Sequence, residues 1–109
     1  MQAAQEAVEI YRRLAKSRPD AFLPDLARSL GTLGTCLAAA TRLHDALEAS
    51  ADGVRTLAPA FLGLPKAFAP LMGPLVSNYL THVKELGEAP DMELLTPILA
   101  KFEEIKDKE

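Results

Sequence analysis

Apolar residues recur every three or four positions along most of the chain, in five runs separated by proline, glycine or short polar breaks. That period predicts amphipathic helices. In residues 3–18, Ala4, Ala7, Val8, Tyr11, Leu14 and Ala15 share one stripe, with Glu6, Glu9, Arg13 and Lys16 opposite. Acidic residues precede basic ones, which suits the helix dipole, and Glu9 and Arg13 are spaced to pair. Pro19 closes this first helix. Residues 19–24 read as a connection, with Asp20 capping the next helix and Pro24 in its first turn. The second helix extends to about residue 40 on Leu26, Leu30, Leu33 and Leu37, and its small residues Ala27, Gly34 and Ala38 allow a close neighbour. After a tight turn at Thr41-Arg42, a third helix spans 43–57 with Leu43, Ala46, Leu47, Ser50, Val54 and Leu57 inward. Pro59, Gly63 and Pro65 then predict an irregular apolar elbow around Phe61, Leu62 and Leu64. A fourth helix starts between 67 and 70, carries Met72, Val76, Tyr79, Val83 and Leu86 inward, and ends at Gly87. The fifth runs from Asp91, its N-cap, to Ile105, with Leu94, Leu95, Ile98, Leu99, Phe102 and Ile105 inward. Pro97 is placed to delay or kink it, and the tail 106–109 to fray.

The pattern repeats. Pro-x-Ala-Phe-x-Pro occurs at 19–24 and again at 65–70, a shift of 46 residues. The same shift places Val8 on Val54, Tyr11 on Leu57, Phe22 on Phe68, Leu26 on Met72, Leu30 on Val76, Leu33 on Tyr79 and Leu37 on Val83. All seven pairs are apolar and inward-facing in the predicted helices. A period of this length is that of stacked helical hairpins.

Composition narrows the function. The 109 residues suffice for one domain, and the charged (25%) and apolar (49%) fractions are those of an ordinary folded protein. A net charge of −3 argues against a nucleic-acid partner. Cys36 is the sole cysteine, so no intrachain disulfide forms, and it reads as a small filler in an apolar run. The N-terminus does not read as a signal peptide, which makes the cytoplasm the expected location. Residues 56–83 carry only Lys66 as a charged residue, but four prolines and two glycines break the stretch, so it predicts burial and no membrane span. His44, Asp45 and His82 form no catalytic constellation, and the glycines Gly31 and Gly34 read as close-packing positions within a helix. Glu103, Glu104 and Asp107 read as a solvated helix end. No enzyme activity, cofactor or metal is expected.

Leu33-Gly34, Leu37 and Ala46 follow in order the spacing of the tetratricopeptide repeat. Ser50 stands where that family usually has a large residue, Gly53 where it usually has alanine, and Pro59 one place beyond its usual closing proline. The phrase EAVEIYRRLAKSRPDAFLPDLARSLGTLG, residues 6–34, resembles the tandem units of many bacterial tetratricopeptide proteins; residues 37–57 match less well. The segment 55–80 is similar to the divergent last unit of such arrays, with 91–105 as a solvating cap.

The resemblance implies an all-α domain of about five helices: a half repeat at 1–18, a repeat at 19–64, and a divergent repeat plus cap at 65–109. It implies a non-catalytic scaffold for protein or peptide partners. The first helix of each unit would line a concave face bearing Arg28, Thr32 and Thr35, then Ser77, Asn78, Thr81, Lys84 and Glu85. The family's carboxylate clamp would be incomplete here, since Gly31, Thr32 and Thr35 occupy positions where amide and basic side chains are wanted. In this register the opening helix lacks its hairpin partner, which leaves Ala4, Val8, Tyr11 and Ala15 as a candidate self-association face for a homodimer. Continuation of repeats upstream would cover the same face. An alternative reading is a small helical protein that holds a hydrophobic ligand at the elbow between Phe61 and Phe68.

Overall fold

A computed structural model describes residues 2–107, with the side chains of 2–106. Five helices follow one another: α1 (Gln2–Ser17), α2 (Pro19–Ala39), α3 (Leu43–Gly63), α4 (Pro65–Leu86) and α5 (Met92–Asp107). Each packs against the next as an antiparallel hairpin. Beyond these neighbours, α2 touches α4 and α3 touches α5, whereas α1 meets α2 alone among the described residues. Thus α2 and α4 form one layer and α1, α3 and α5 the other. The smallest dimension, 21 Å, accommodates two layers of helix, each about 10 Å across.

The helices are longer and the connections shorter than the proline pattern predicts. The expected six-residue connection at 19–24 is a single residue, Arg18: Pro19 opens α2 and Pro24 lies inside it. Asp20 is therefore a first-turn residue, and the capping position, Arg18, makes no side-chain cap hydrogen bond. The expected elbow is likewise one residue, Leu64, because α3 runs through Pro59 to Gly63 and α4 starts at Pro65. Pro97 sits within α5, which continues to Asp107; Lys108 and Glu109 of the tail lie outside the described residues. The reason is where these prolines point. Pro59, Pro70, Pro74 and Pro97 are all exposed, so the carbonyl that each deprives of a hydrogen bond lies on the wet side of its helix. On the other side, core anchors such as Phe61 and Ile98, both 0% exposed, hold the helix in place.

The two single-residue joints are equivalent. Arg18 adopts φ −139°, ψ 73° and Leu64 φ −134°, ψ 69°. At each, the joint amide donates to the carbonyl four residues before (Leu14 or Ala60, 2.9 Å), and the joint carbonyl accepts from the phenylalanine four residues after (Phe22 or Phe68, 3.2 Å). They lie 46 residues apart, the period of the sequence phrase. The α2–α3 turn differs. Thr41 adopts φ 61°, and the bonds Arg42 N to Leu37 O and Thr41 N to Ala38 O close a Schellman motif without a glycine. Gly87, at φ 67°, closes α4 in the same manner.

The main core lies between α3, α4 and α5: Val54, Leu57, Phe61, Met72, Leu75, Val76, Tyr79, Val83, Leu95 and Ile98, joined by Ala27 from α2. Phe61 stacks against Phe102 with ring centroids 4.7 Å apart. A smaller cluster joins Val8 and Ala15 of α1 to Leu26 and Leu30 of α2. Gly31 lets α2 and α4 meet, since a Cβ there would stand 2.6 Å from Leu75 Cδ2. Asp91 caps α5 as expected, accepting from Leu94 N at 3.2 Å, while its own amide donates to the Tyr79 hydroxyl at 2.9 Å. The ion pairs among the described residues include Arg28–Asp25 and Arg55–Asp52, each three residues apart, but not the expected Glu9–Arg13 pair.

Candidate functional site

The layer formed by α2 and α4 collects half of the residues assigned to a binding face. Arg28, Thr32, Thr35 and Asn78 line one shallow groove of about 170 Å³, floored by Gly31, Leu71, Pro74 and Leu75. The close approach at Gly31 helps bring these four together, since a Cβ there would meet the Leu75 side chain. Ser77, Thr81, Lys84 and Glu85 are exposed on α4 but lie outside that groove, as its polar flank.

The groove's chemistry is mixed. Arg28 Nη1 contacts Asp25 Oδ1 at 2.9 Å, an exposed pair whose contribution is small. Thr32 and Thr35 donate their hydroxyls to the Arg28 and Gly31 carbonyls, both at 3.2 Å, and Thr81 donates to Ser77 at 3.0 Å. Each threonine proton is thus committed to its own helix, and the hydroxyl oxygens face outward as acceptors. Arg28 and Asn78 supply the donors. Such a face suits backbone and amide groups of a peptide better than a concentrated charge.

A second groove, about 390 Å³, lies between α1 and α2 and is lined by Ala3, Ala4, Ala7, Arg28, Ser29, Thr32 and Cys36. Arg28 and Thr32 border both grooves, so α2 is the ridge between them. Cys36, read from the sequence as buried filler, is half-buried on this wall.

Most of the candidate self-association face packs within the chain. Val8 and Ala15 are buried against Leu26 and Leu30, Tyr11 packs on the same cluster with its ring 6.3 Å from that of Phe22, and Ala4 is half-buried. The large apolar residues that α1 leaves open are Ile10, 47% exposed, and Leu14, 39% exposed although it falls on the predicted inward stripe.

At the elbow, Phe61 is wholly buried, so it cannot face a ligand. Phe68 instead lines a cleft of about 370 Å³ with Pro19, Leu23, Pro24, Pro59, Ala60 and Leu64. Leu64, 63% exposed, also borders a shallower depression beside Lys66, Glu104 and Ile105.

Sequence reasoning missed one buried polar contact. Ser50 Oγ lies 3.1 Å from His82 Nδ1 across the α3–α4 interface, and it donates to the Leu47 carbonyl at 3.0 Å. Which of the two groups carries the bridging proton depends on the His82 tautomer. A nucleophilic serine needs an accessible position beside its base. Ser50 has no accessible surface, so the contact ties two helices together. The signal in sequence was Ser50 at a position where the resembled repeat carries a large residue.

No group of three or more potential ligands capable of holding a metal ion occurs among the described residues, and no helix there is long and apolar enough to cross a membrane. Set against protein-family models, curated proteins and solved structures, the chain matches none of them.

Proposed function

We propose that the chain is a non-catalytic protein-interaction module of tetratricopeptide type, which docks a helical or extended peptide on the α2–α4 face. The observation that carries this reading is the groove where Arg28, Thr32, Thr35 and Asn78 converge over Gly31. It is supported by the layered hairpins, by the two matching joints 46 residues apart, and by the contact between α2 and α4. In stacked hairpins the first helix of each unit lines the concave side that such folds offer to partners, and in the 46-residue register those helices are α2 and α4. Fold analogy supplies the class of function, and the groove supplies its address.

The test is selection of peptides from a displayed random library against the wild-type chain, followed by titration of the selected sequences. Asn78→Arg and Arg28→Glu alter exposed or half-buried side chains and leave the core intact. Each should weaken the selected peptides by at least about tenfold, the loss of one or two hydrogen bonds to the ligand. Peptides that bind both variants as tightly as the wild type would place the site elsewhere.

A second reading rests on the cleft at Phe68, whose lining is mostly apolar and whose volume suits a small hydrophobic molecule. Binding of a fluorescent fatty-acid analogue that Leu23→Glu abolishes and Asn78→Arg spares would favour that reading over the peptide groove.

A further inference from the structure

We infer that α1 pairs with α1 of a second copy of this chain, antiparallel about a two-fold axis, through the stripe Ala3, Ala7, Ile10 and Leu14. The inference extends the reading of an interaction module but uses a different surface from the α2–α4 groove. Residues spaced by three and four share one side of a helix, and on this side Ile10 and Leu14 are the large apolar residues left to solvent.

The repeat shows what this side of the helix is for. The 46-residue shift carries Ala3, Ala7, Ile10 and Leu14 onto Ala49, Gly53, Thr56 and Ala60 of α3. There Ala49 and Gly53 are buried, Thr56 and Ala60 half-buried. A Cβ at Gly53 would meet the Ala27 carbonyl oxygen of α2 at 3.3 Å, so a helix packs directly on that side. On α1 the same side has no helix upon it among the described residues.

The stripe is complementary to itself in shape and in charge. In an antiparallel pair centred between Val8 and Glu9, Ala3 faces Leu14 of the other copy and Ala7 faces Ile10, each contact made twice by symmetry. A small residue therefore receives a large one along the whole seam. Glu6 and Glu9 occupy the first half of α1 and Arg12, Arg13 and Lys16 the second. Reversing one helix sets each acidic half beside a basic half, with Glu6 within reach of Arg13, and opposes the two dipoles. Among the described residues, neither Glu9 nor Arg13 has an ion-pair partner in its own chain. A parallel pair would set like charges together. The 16-residue helix is about 24 Å long, which makes the seam a small interface and the dimer a weak one.

The experiment is sedimentation equilibrium of the wild-type chain from micromolar to about millimolar concentration, the range of a weak interface. The wild type should shift from monomer to dimer mass. Ile10→Glu and Leu14→Glu change exposed residues and should give monomers with unaltered helical circular dichroism. Glu6→Arg should weaken association by about tenfold, and the double variant Glu6→Arg/Arg13→Glu should restore it, because the swap returns opposite charges to the same places. A wild type that stays monomeric throughout, a Leu14→Glu dimer, or a double swap that fails to recover would each overturn the antiparallel pairing. Asn78→Arg should leave the dimer mass unchanged and Leu14→Glu should leave peptide affinity unchanged, so the two surfaces can fail separately.

Discussion

The edge formed by α1 with α2 and the body formed by α3, α4 and α5 contain equivalent sequence and reach different ends. Val8 and Val54 are related by the 46-residue shift, yet Val54 belongs to a core drawn from four helices and Val8 to a two-helix cluster. The contrast is sharper at a second pair of positions. In the body, Ser50 and His82 meet in a buried hydrogen bond. Their equivalents at the edge, Ala4 and Cys36, line an open groove. The local sequence of a repeat thus specifies its helices and joints, while the number of neighbours sets how much each helix buries. Among the described residues, α1 has one neighbour and α3 has three.

The largest test of this contrast is Phe61→Ala. Phe61 has no exposed surface and stacks on Phe102, so removing it should cost the body about 3–5 kcal/mol of unfolding free energy, measured by urea denaturation. The body should then no longer outlast the edge in native-state hydrogen exchange. Next comes the matched pair, in which one substitution is made at two equivalent places. Val54→Ala should cost about 2 kcal/mol and lower the protection of every core amide, as expected for a filled site in a shared core. Val8→Ala should cost about 1 kcal/mol and speed exchange in α1 alone. Equal losses at the two sites would mean that α1 is as integral to the fold as α3.

A smaller effect probes the tie that the edge lacks. Ser50→Ala leaves the His82 ring nitrogen without its partner inside the α3–α4 interface, which should cost about 1–2 kcal/mol. Cys36→Ser, at the equivalent of His82, should change stability by less than about 0.5 kcal/mol because its groove is open to water. A modest gain is expected at the turn where edge meets body. Thr41 holds a left-handed φ of 61° that a β-branched residue adopts poorly, so Thr41→Gly should add about 1 kcal/mol. Thermal melts of the pair would show it directly.

Particular residues show where sequence was enough. Leu26, Leu30 and Leu37 on α2, and Met72, Val76 and Val83 on α4, are buried as their spacing requires. Asp91 caps α5 because a short acidic side chain before Met92 and Glu93 has a local reason to be there. Sequence misled where a local rule was read alone. Pro59 and Pro97 were read as a break and a kink, yet they lie inside helices whose packed sides outweigh one missing hydrogen bond. Leu14 and Leu99 fall on apolar stripes but remain 39% exposed, since a helix with few neighbours buries a narrower face than its pattern allows. Among the groove residues, the grouping of Arg28 and Thr32 with Asn78 was legible from the repeat register. Ala3, Ala7 and Cys36 were not, because no local pattern says which side of α1 will lie beside α2.

Taken by itself, the sequence determined an all-α chain of five helices, the 46-residue period, and the apolar stripes, since these depend on residue spacing along a single helix. The tertiary structure alone decided that each joint is one residue long and that Val8 and Ala15 are satisfied internally. It also decided that Ile10 and Leu14 are left open, and that Ser50 meets His82. Those outcomes depend on which helices become neighbours, and neighbours are chosen by burial summed over the whole chain, a quantity that no local stretch contains.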